Sequence, residues 1–483
     1  MRLFFIGWAD EEKELADLVF DLQKSGHDIV YWSRQNNTFQ VDESRFPDTI
    51  FHAYEDAVEA IPPKKVTTHF DPPSEGLLAQ LHECESMVLT MMNKKYHAMP
   101  LNERKHLYYR FVSYWDGILR LHKPEGIIFP APPHALYDYV LYSLAKLHGI
   151  GTLMLERPVV ADRLLPLTDY TKGNMSIRDF MASSDGKKVN VADLSDDIRT
   201  YFERETKIDA DRSPSYHAET LRDYSLGKRA VRKFALVYRT MKDGSFVRRA
   251  VNYVGKKFSE NIKDEYNSVA RKPQLDTPFV YAALSFQQEA STSPLGGVFV
   301  DQLLMIETLA SALPDGWTLY VKEHPSQWLP GGSNFSQYRY PGFYKAIAAI
   351  RNVTLVPIET DTFALTRRSK AVATVTGTVG WEAVLRGKRS LYFGYPWYMY
   401  CPGTYRVHDS SSARAAIREI ELEGSVSKDD VLKFLYAFDR ASIKGYRGTY
   451  KGEQSSVTPQ ENKDHIRGVL ESFFSEVANT KSS

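Results

Sequence analysis

Thr318-Leu319-Tyr320-Val321-Lys322-Glu323-His324-Pro325 runs as an apolar strand into a knot of charge and then meets a proline. Proline has no N–H for a sheet ladder and fixes its own φ, so pairing stops there. Lys322, Glu323 and His324 are thereby set at the strand's carboxyl end. Further along, Ala371-Val372-Ala373-Thr374-Val375-Thr376-Gly377-Thr378-Val379-Gly380-Trp381-Glu382-Ala383 repeats the grammar: an apolar run, a Thr/Gly turn, and the start of a helix. In an open parallel sheet, ligands sit outside the carboxyl ends of the strands. Two such ends, one carrying an imidazole and an ammonium, the other hydroxyls and glycines, predict an α/β domain of the nucleotide-binding kind.

The neighbouring segments fit that domain. A strand is predicted at 278–284, a long helix at 298–313, a helix at 343–350, and strands at 353–356 and 390–393. The helix after the Thr/Gly turn is expected from Trp381. The amino-terminal region has the same alternation: a strand at 3–6, helical spacing of Leu15, Leu18, Val19 and Leu22 closed by Gly26, and a strand at 27–32. A strand at 126–129, a helix at 136–147 and a strand at 152–155 follow. Residues 186–272 show helical patterns but no strand series. The expected organisation is a Rossmann-like domain over 1–185, a basic helical connector over 186–272, a second Rossmann-like domain over 273–440, and a closing helix and tail over 441–483.

Bulk properties narrow the function. The chain has 483 residues, enough for two cores, with 43% hydrophobic and 25% charged residues, the balance of a soluble globular protein. A formal net charge of +1 gives no global field for nucleic acid. Cys84 and Cys401 are the two cysteines, too few for a zinc site or a disulfide scaffold, which fits a reducing compartment. The start, Met1-Arg2-Leu3-Phe4-Phe5-Ile6-Gly7-Trp8, soon reaches Asp10, Glu11 and Glu12, unlike a secretory signal. A cytoplasmic protein is expected. Over 228–257 lysines and arginines interleave with aromatic and aliphatic residues; either a solvated connector or a face for anionic lipid headgroups at the inner membrane surface accounts for it.

Several side chains are candidates for chemistry. His324, with Lys322, Glu323 and Pro325, is placed to meet a phosphate; a strand-end histidine bonded to local backbone is the competing reading. Thr376, Gly377, Thr378 and Gly380 make a turn beside a helix N-terminus, a ready anion site, with Glu382 placed to accept from a ribose or base; an ordinary helix cap is the alternative. Glu289, Ser291 and Thr292 lie in a hydroxyl-rich loop after the 278–284 strand. In the first domain His134, Asp138, Glu156 and Asp10 follow strands and are the available acid–base groups, although caps and ion pairs explain each almost as well. The chain has no G-x-x-x-x-G-K-[ST] loop, no G-x-G-x-x-G after the first strand, no G-x-S-x-G elbow and no H-E-x-x-H helix. No metal site and no cofactor is expected, and Asp209-Ala210-Asp211 lies in the helical middle, away from any strand end.

Taken in order, Glu289-Ala290-Ser291-Thr292, Lys322-Glu323-His324-Pro325 and Thr376-Gly377-Thr378-Val379-Gly380-Trp381-Glu382-Ala383 resemble the bacterial capsular and surface-polysaccharide glycosyltransferases that include the Kdo transferases, and more loosely the bacterial sialyltransferases. The resemblance implies two Rossmann-like domains of the glycosyltransferase B type. It implies a CMP-sugar donor carrying Kdo, sialic or another nonulosonic acid, and a glycan or lipid-linked glycan acceptor. By the same resemblance His324 holds the donor phosphate, Thr376 and Thr378 the phosphate or ribose, Glu382 the nucleoside, and a first-domain carboxylate acts on the acceptor. The sialyltransferase acid-acid-Gly base motif is missing. A CDP-polyol phosphotransferase or a nucleotide-sugar epimerase is the alternative within the fold; a non-catalytic membrane-associated scaffold is the alternative outside it.

Overall fold

The computed structural model describes residues 1–8, 13–34, 41–183, 187–207, 262–287, 290–328, 339–422, 424–447 and 456–482. Thirteen strands form two sheets among them. The first holds β1 (Arg2–Ile6), β2 (Asp28–Ser33), β3 (Ile50–His52), β4 (Gly126–Phe129), β5 (Gly151–Glu156), β6 (Arg163–Leu167) and β13 (Ile443–Lys444). The second holds β7 (Phe279–Ala283), β8 (Thr318–Lys322), β9 (Val353–Leu355), β10 (Ala371–Thr374), β11 (Arg389–Tyr392) and β12 (Thr404–Arg406).

Both sheets have the same logic. The second runs β12-β11-β10-β7-β8-β9 with every pair parallel, so the chain moves outward from β7 to β9, returns, and moves outward the other way. The first has β3-β2-β1-β4-β5 in the same order, extended by the antiparallel β6 and β13. That reversal beside the first strand is the doubly wound Rossmann order, and it opens a crevice at the strand ends. Near-continuous apolar strands such as Leu3-Phe4-Phe5-Ile6, all buried, are what a sheet covered on both faces requires.

The helix Lys13–Lys24 buries Leu15, Leu18, Val19 and Leu22 against the first sheet, each a contribution of about 1.5–3 kcal/mol. The expected 298–313 helix is shorter: a 3-10 turn, Gly297–Val300, then a helix Gln302–Ala310 whose start is capped by Asp301 accepting from the Leu303 N–H at 3.0 Å. The helix after the Thr/Gly turn begins at Thr378, not Trp381, because Gly377 is already its N-cap. Of the connector, Asp196–Glu205 and Ile262–Val269 are helical; residues 208–261, and with them the basic 228–257 stretch, lie outside the described residues.

The last helix, Pro459–Ser482, returns to the first domain. Ile466, Leu470, Phe473 and Phe474 pack with Leu3, Phe5, Leu18 and Ile128, and Lys463 and Arg467 bind Asp21 at 2.7 and 2.6 Å. Between the domains Trp381 is fully buried and donates its indole N–H to the Tyr201 hydroxyl at 2.9 Å. The buried Arg163 of β6 holds Asp197 and Asp439, both at 2.8 Å, joining the helices Asp196–Glu205 and Lys428–Ala441. Among the described residues no helix is long and apolar enough to cross a membrane.

Candidate functional site

The crevice of the second sheet is built on one scaffold that sequence reading missed. Arg339, fully buried, donates to Glu323 at 2.6 and 3.1 Å, to Gln287 Oε1 at 2.7 Å and to the Ser285 carbonyl. Tyr344 donates to the same Glu323 at 2.6 Å. Glu323 thus faces inward and fastens the end of β8 to the segment after β7 and to the helix Phe343–Ala349. A carboxylate paired and hydrogen-bonded in this way belongs to the fold, and its removal would strand a buried guanidinium. Sequence reading placed Glu323 with the ligand groups; the structure places it beneath them.

His324 stands on this base, half-buried, with its ring 5.8 Å from that of Phe286. The Ser326 N–H donates to His324 Nδ1 at 3.2 Å. Nδ1 is therefore an acceptor, and in the neutral ring the proton sits on Nε2, the tautomer that can donate to an anion. Pro325 is exposed and opens the 3-10 turn Pro325–Trp328, in which the Gln327 N–H returns to the His324 carbonyl at 2.9 Å. Lys322 points the other way: its ammonium donates to the Thr360 carbonyl and to Thr362 Oγ1 at 2.5 and 2.8 Å. Burial lowers its pKa to about 8, against the pull of Asp361 and Glu359. Its charge is spent on the 360–362 turn, not beside His324.

The β10 turn lies on the opposite flank of β7. Thr376 donates its hydroxyl to the Ser291 carbonyl at 2.5 Å, so it grips the β7 loop and keeps only lone pairs for a ligand. The Gly377 N–H donates to Thr374 Oγ1 at 3.1 Å. Gly377, Thr378 and Val379 are half-exposed at the start of the helix Thr378–Leu385. The glycines answer to packing: a Cβ on Gly380 would strike the Tyr398 hydroxyl and lie 2.6 Å from Ser390 Oγ, and one on Gly377 would lie 2.6 Å from Thr374 Oγ1. Glu382 is half-buried, and burial raises its pKa to about 7, with Arg386 opposing, Glu205 of the connector adding, and a Thr378 hydrogen bond lowering. Ser291 is half-exposed and Thr292 buried in the same loop; Glu289 lies outside the described residues.

The β7 segment joins the two flanks. Its residue Phe286 meets His324, its Ser291 receives Thr376, and its Gln287 N–H donates to Gln327 Oε1 at 3.2 Å. On its far side the Leu295 carbonyl accepts from Tyr395 at 2.9 Å, bringing in the loop after β11.

In the first domain Asp138 accepts from the Ala135 N–H at 2.7 Å and the His134 N–H at 3.3 Å, tying the strained turn in which Leu136 has a φ of 48°. Burial raises its pKa, and His134 and these N–H groups pull it down. His134 Nδ1 donates to the Pro132 carbonyl at 2.8 Å, leaving Nε2 as an acceptor in the neutral ring. Glu156 ends β5, half-buried; burial raises its pKa, with Arg447 opposing. β4 and β5 pair in parallel, so the connection from β4 to Asp138 and the end of β5 at Glu156 both start from the carboxyl side of the first sheet. Asp10 lies outside the described residues. Among the described residues no three His, Cys, Asp or Glu side chains gather as a metal cluster. Cavities of about 750 Å³ beside Gln274 and Arg368, and about 490 Å³ between Phe180, Arg440 and Phe473, lie away from this crevice.

Residues 241–420 match the capsule polysaccharide biosynthesis protein family. The match spans every strand of the second sheet and bears out the resemblance read from the His-Pro and Thr/Gly elements. No curated protein matches in sequence. Similar solved structures include KpsC of Thermosulfurimonas dismutans, described as a beta Kdo 2,7 transferase, at 12% identity over 74% of this chain and 88% of that one, TM-score 0.30. Its beta Kdo 2,4 transferase counterpart has 13% identity over 65% and 79%, TM-score 0.28. The UDP-GlcNAc 2-epimerase of Methanocaldococcus jannaschii has 11% identity over 97% and 99%, TM-score 0.23. At such TM-scores none of the three carries an argument; the fold rests on the strand order and the chemistry on the site.

Proposed function

We propose that this chain is a glycosyltransferase of capsule or surface-polysaccharide assembly that takes a CMP-activated acidic sugar. The observation that supports the reading most is the convergence of His324 and the 376–379 turn on one β7 loop, at the point where the strand order of the second sheet reverses. An imidazole with its proton on Nε2 and the free N–H groups of a helix start are suited to the phosphate of such a donor. As the glycosidic bond to phosphate breaks, the leaving CMP gains charge, and donors already in place stabilise it without reorganising. One phosphate needs less neutralisation than a diphosphate, so no metal ion or cofactor is assigned a part.

Glu382, in the second turn of the helix Thr378–Leu385, would accept from ribose hydroxyls. The acceptor hydroxyl, on a glycan or lipid-linked glycan, would lose its proton to a first-domain carboxylate. Glu156 suits that task better than Asp138, because both Asp138 oxygens already accept from the turn they cap. The reaction would take place on the cytoplasmic side, with the membrane surface within reach through 228–257. Titration with CMP, UDP and GDP tests the assignment: CMP should bind best, and His324→Ala should weaken it about tenfold or more, the worth of a hydrogen bond to a charged group. Preference for UDP would favour an epimerase or another transferase. Liposome association without any nucleotide binding would favour a scaffold.

A further inference from the structure

Among the described residues, the cations around the second sheet's crevice are nearly all committed. Lys322 holds the 360–362 turn, Arg339 holds Glu323, and Arg386 donates to the Glu382 carbonyl at 2.9 Å. Arg406 differs. It is the last residue of β12, exposed, with its guanidinium 4.8 Å from the centre of the Tyr395 ring, and no carboxylate among the described residues pairs with it. Tyr395 is itself fixed from three directions. Its N–H is bonded to Leu295, its ring meets Tyr170 of the first domain edge-on at 5.7 Å, and Arg406 covers a face. The residue before it, Gly394, lies so near the anion turn that a Cβ there would be 2.6 Å from Thr376 Cγ2.

We propose that Arg406, seated on Tyr395, receives the carboxylate of the acidic sugar carried by the nucleotide donor. The inference rests on the nucleotide-sugar reading and adds to it the group that distinguishes an acidic sugar from a neutral one. A guanidinium held over a ring is partly ordered before a ligand arrives, and its N–H fork suits a carboxylate, which can take two parallel hydrogen bonds. The place agrees: the carboxyl end of an edge strand, one loop from the anion turn, where Tyr170 brings the first domain against the second.

The test is calorimetry on the full chain with CMP, CMP–N-acetylneuraminate and CMP-Kdo, for the wild type, Arg406→Gln and Arg406→Lys. CMP binding by the wild type reports on the nucleotide site alone. The expected result is that at least one acidic CMP-sugar binds the wild type more tightly than CMP does. Arg406→Gln should remove that margin, a loss of about tenfold or more, while CMP itself stays within about twofold. Arg406→Lys should keep part of it. A margin that survives in Arg406→Gln, no margin in the wild type, or an equal loss for CMP and the sugars overturns the assignment. Absence of CMP binding in the wild type would overturn the nucleotide reading beneath it as well.

Discussion

Glu323 and His324 are chain neighbours with opposite duties, because successive residues at a strand end face opposite ways. Glu323 turns into a pocket closed by Arg339 and Tyr344, and His324 turns to the crevice. Replacing Arg339 with Met should cost about 3–5 kcal/mol, since Glu323 would be left charged and buried; chemical denaturation of the full chain measures it. Glu382 titrates near neutrality in the fold, against an ordinary value of 4.5. A carboxyl raised by folding contributes its full stability below pH 4.5 and loses it as pH climbs through about 7. Glu382→Gln should therefore raise the melting temperature at pH 8 and leave it unchanged near pH 4, a difference of roughly 1–2 kcal/mol. If its carboxylate also takes ribose hydroxyls, wild-type CMP affinity should rise with pH through 7, and the Gln variant should be weaker and flat. The sequence showed His324 and Glu382 as candidates because strand ends and helix starts have local signatures. It could not show that Lys322 and Glu323 are spent on the fold, since Arg339 and the 360–362 turn come from elsewhere in the chain.

At the scale of elements, apolar runs bounded by glycine or proline were readable: nine strands and the helices that follow β1 and β4 fall where the pattern puts them. What escaped were elements with little pattern of their own. β3 and β12 have three residues each and β13 two, too short for a period. The helix Leu101–His122 is long, yet its buried face mixes Tyr108, Tyr114 and Trp115 with aliphatic residues, which blurs the apolar stripe. Tight fits between elements are equally silent in sequence. Helix Thr378–Leu385 approaches Tyr398 and Ser390 only because position 380 has no side chain. Gly380→Ala should destabilise by about 1–3 kcal/mol despite improving helix propensity. Pairing it with Tyr398→Phe should recover only part of the loss, because Ser390 Oγ still lies 2.6 Å from the new methyl and the lost hydroxyl donates to the Gly377 carbonyl at 2.7 Å; thermal unfolding of the single and double variants decides.

For the whole molecule, the two sheets could be anticipated, and the ties between them could not. Trp381 was read as a helix start and proves to be a buried link to Tyr201. Trp381→Phe keeps an aromatic ring but loses the donor and part of the buried volume, leaving the Tyr201 hydroxyl short of a partner beside a small cavity, so a loss of about 2–4 kcal/mol is expected in denaturant unfolding. The closing helix has a consequence of another kind. Its Ile466, Leu470, Phe473 and Phe474 complete a core begun by Leu3 and Phe5, so a nascent chain leaving the ribosome exposes one flank of its earliest sheet while the entire second unit is being made. Folding of the first part cannot finish before translation of the last, and a premature stop ahead of 459 would yield a product damaged at its beginning.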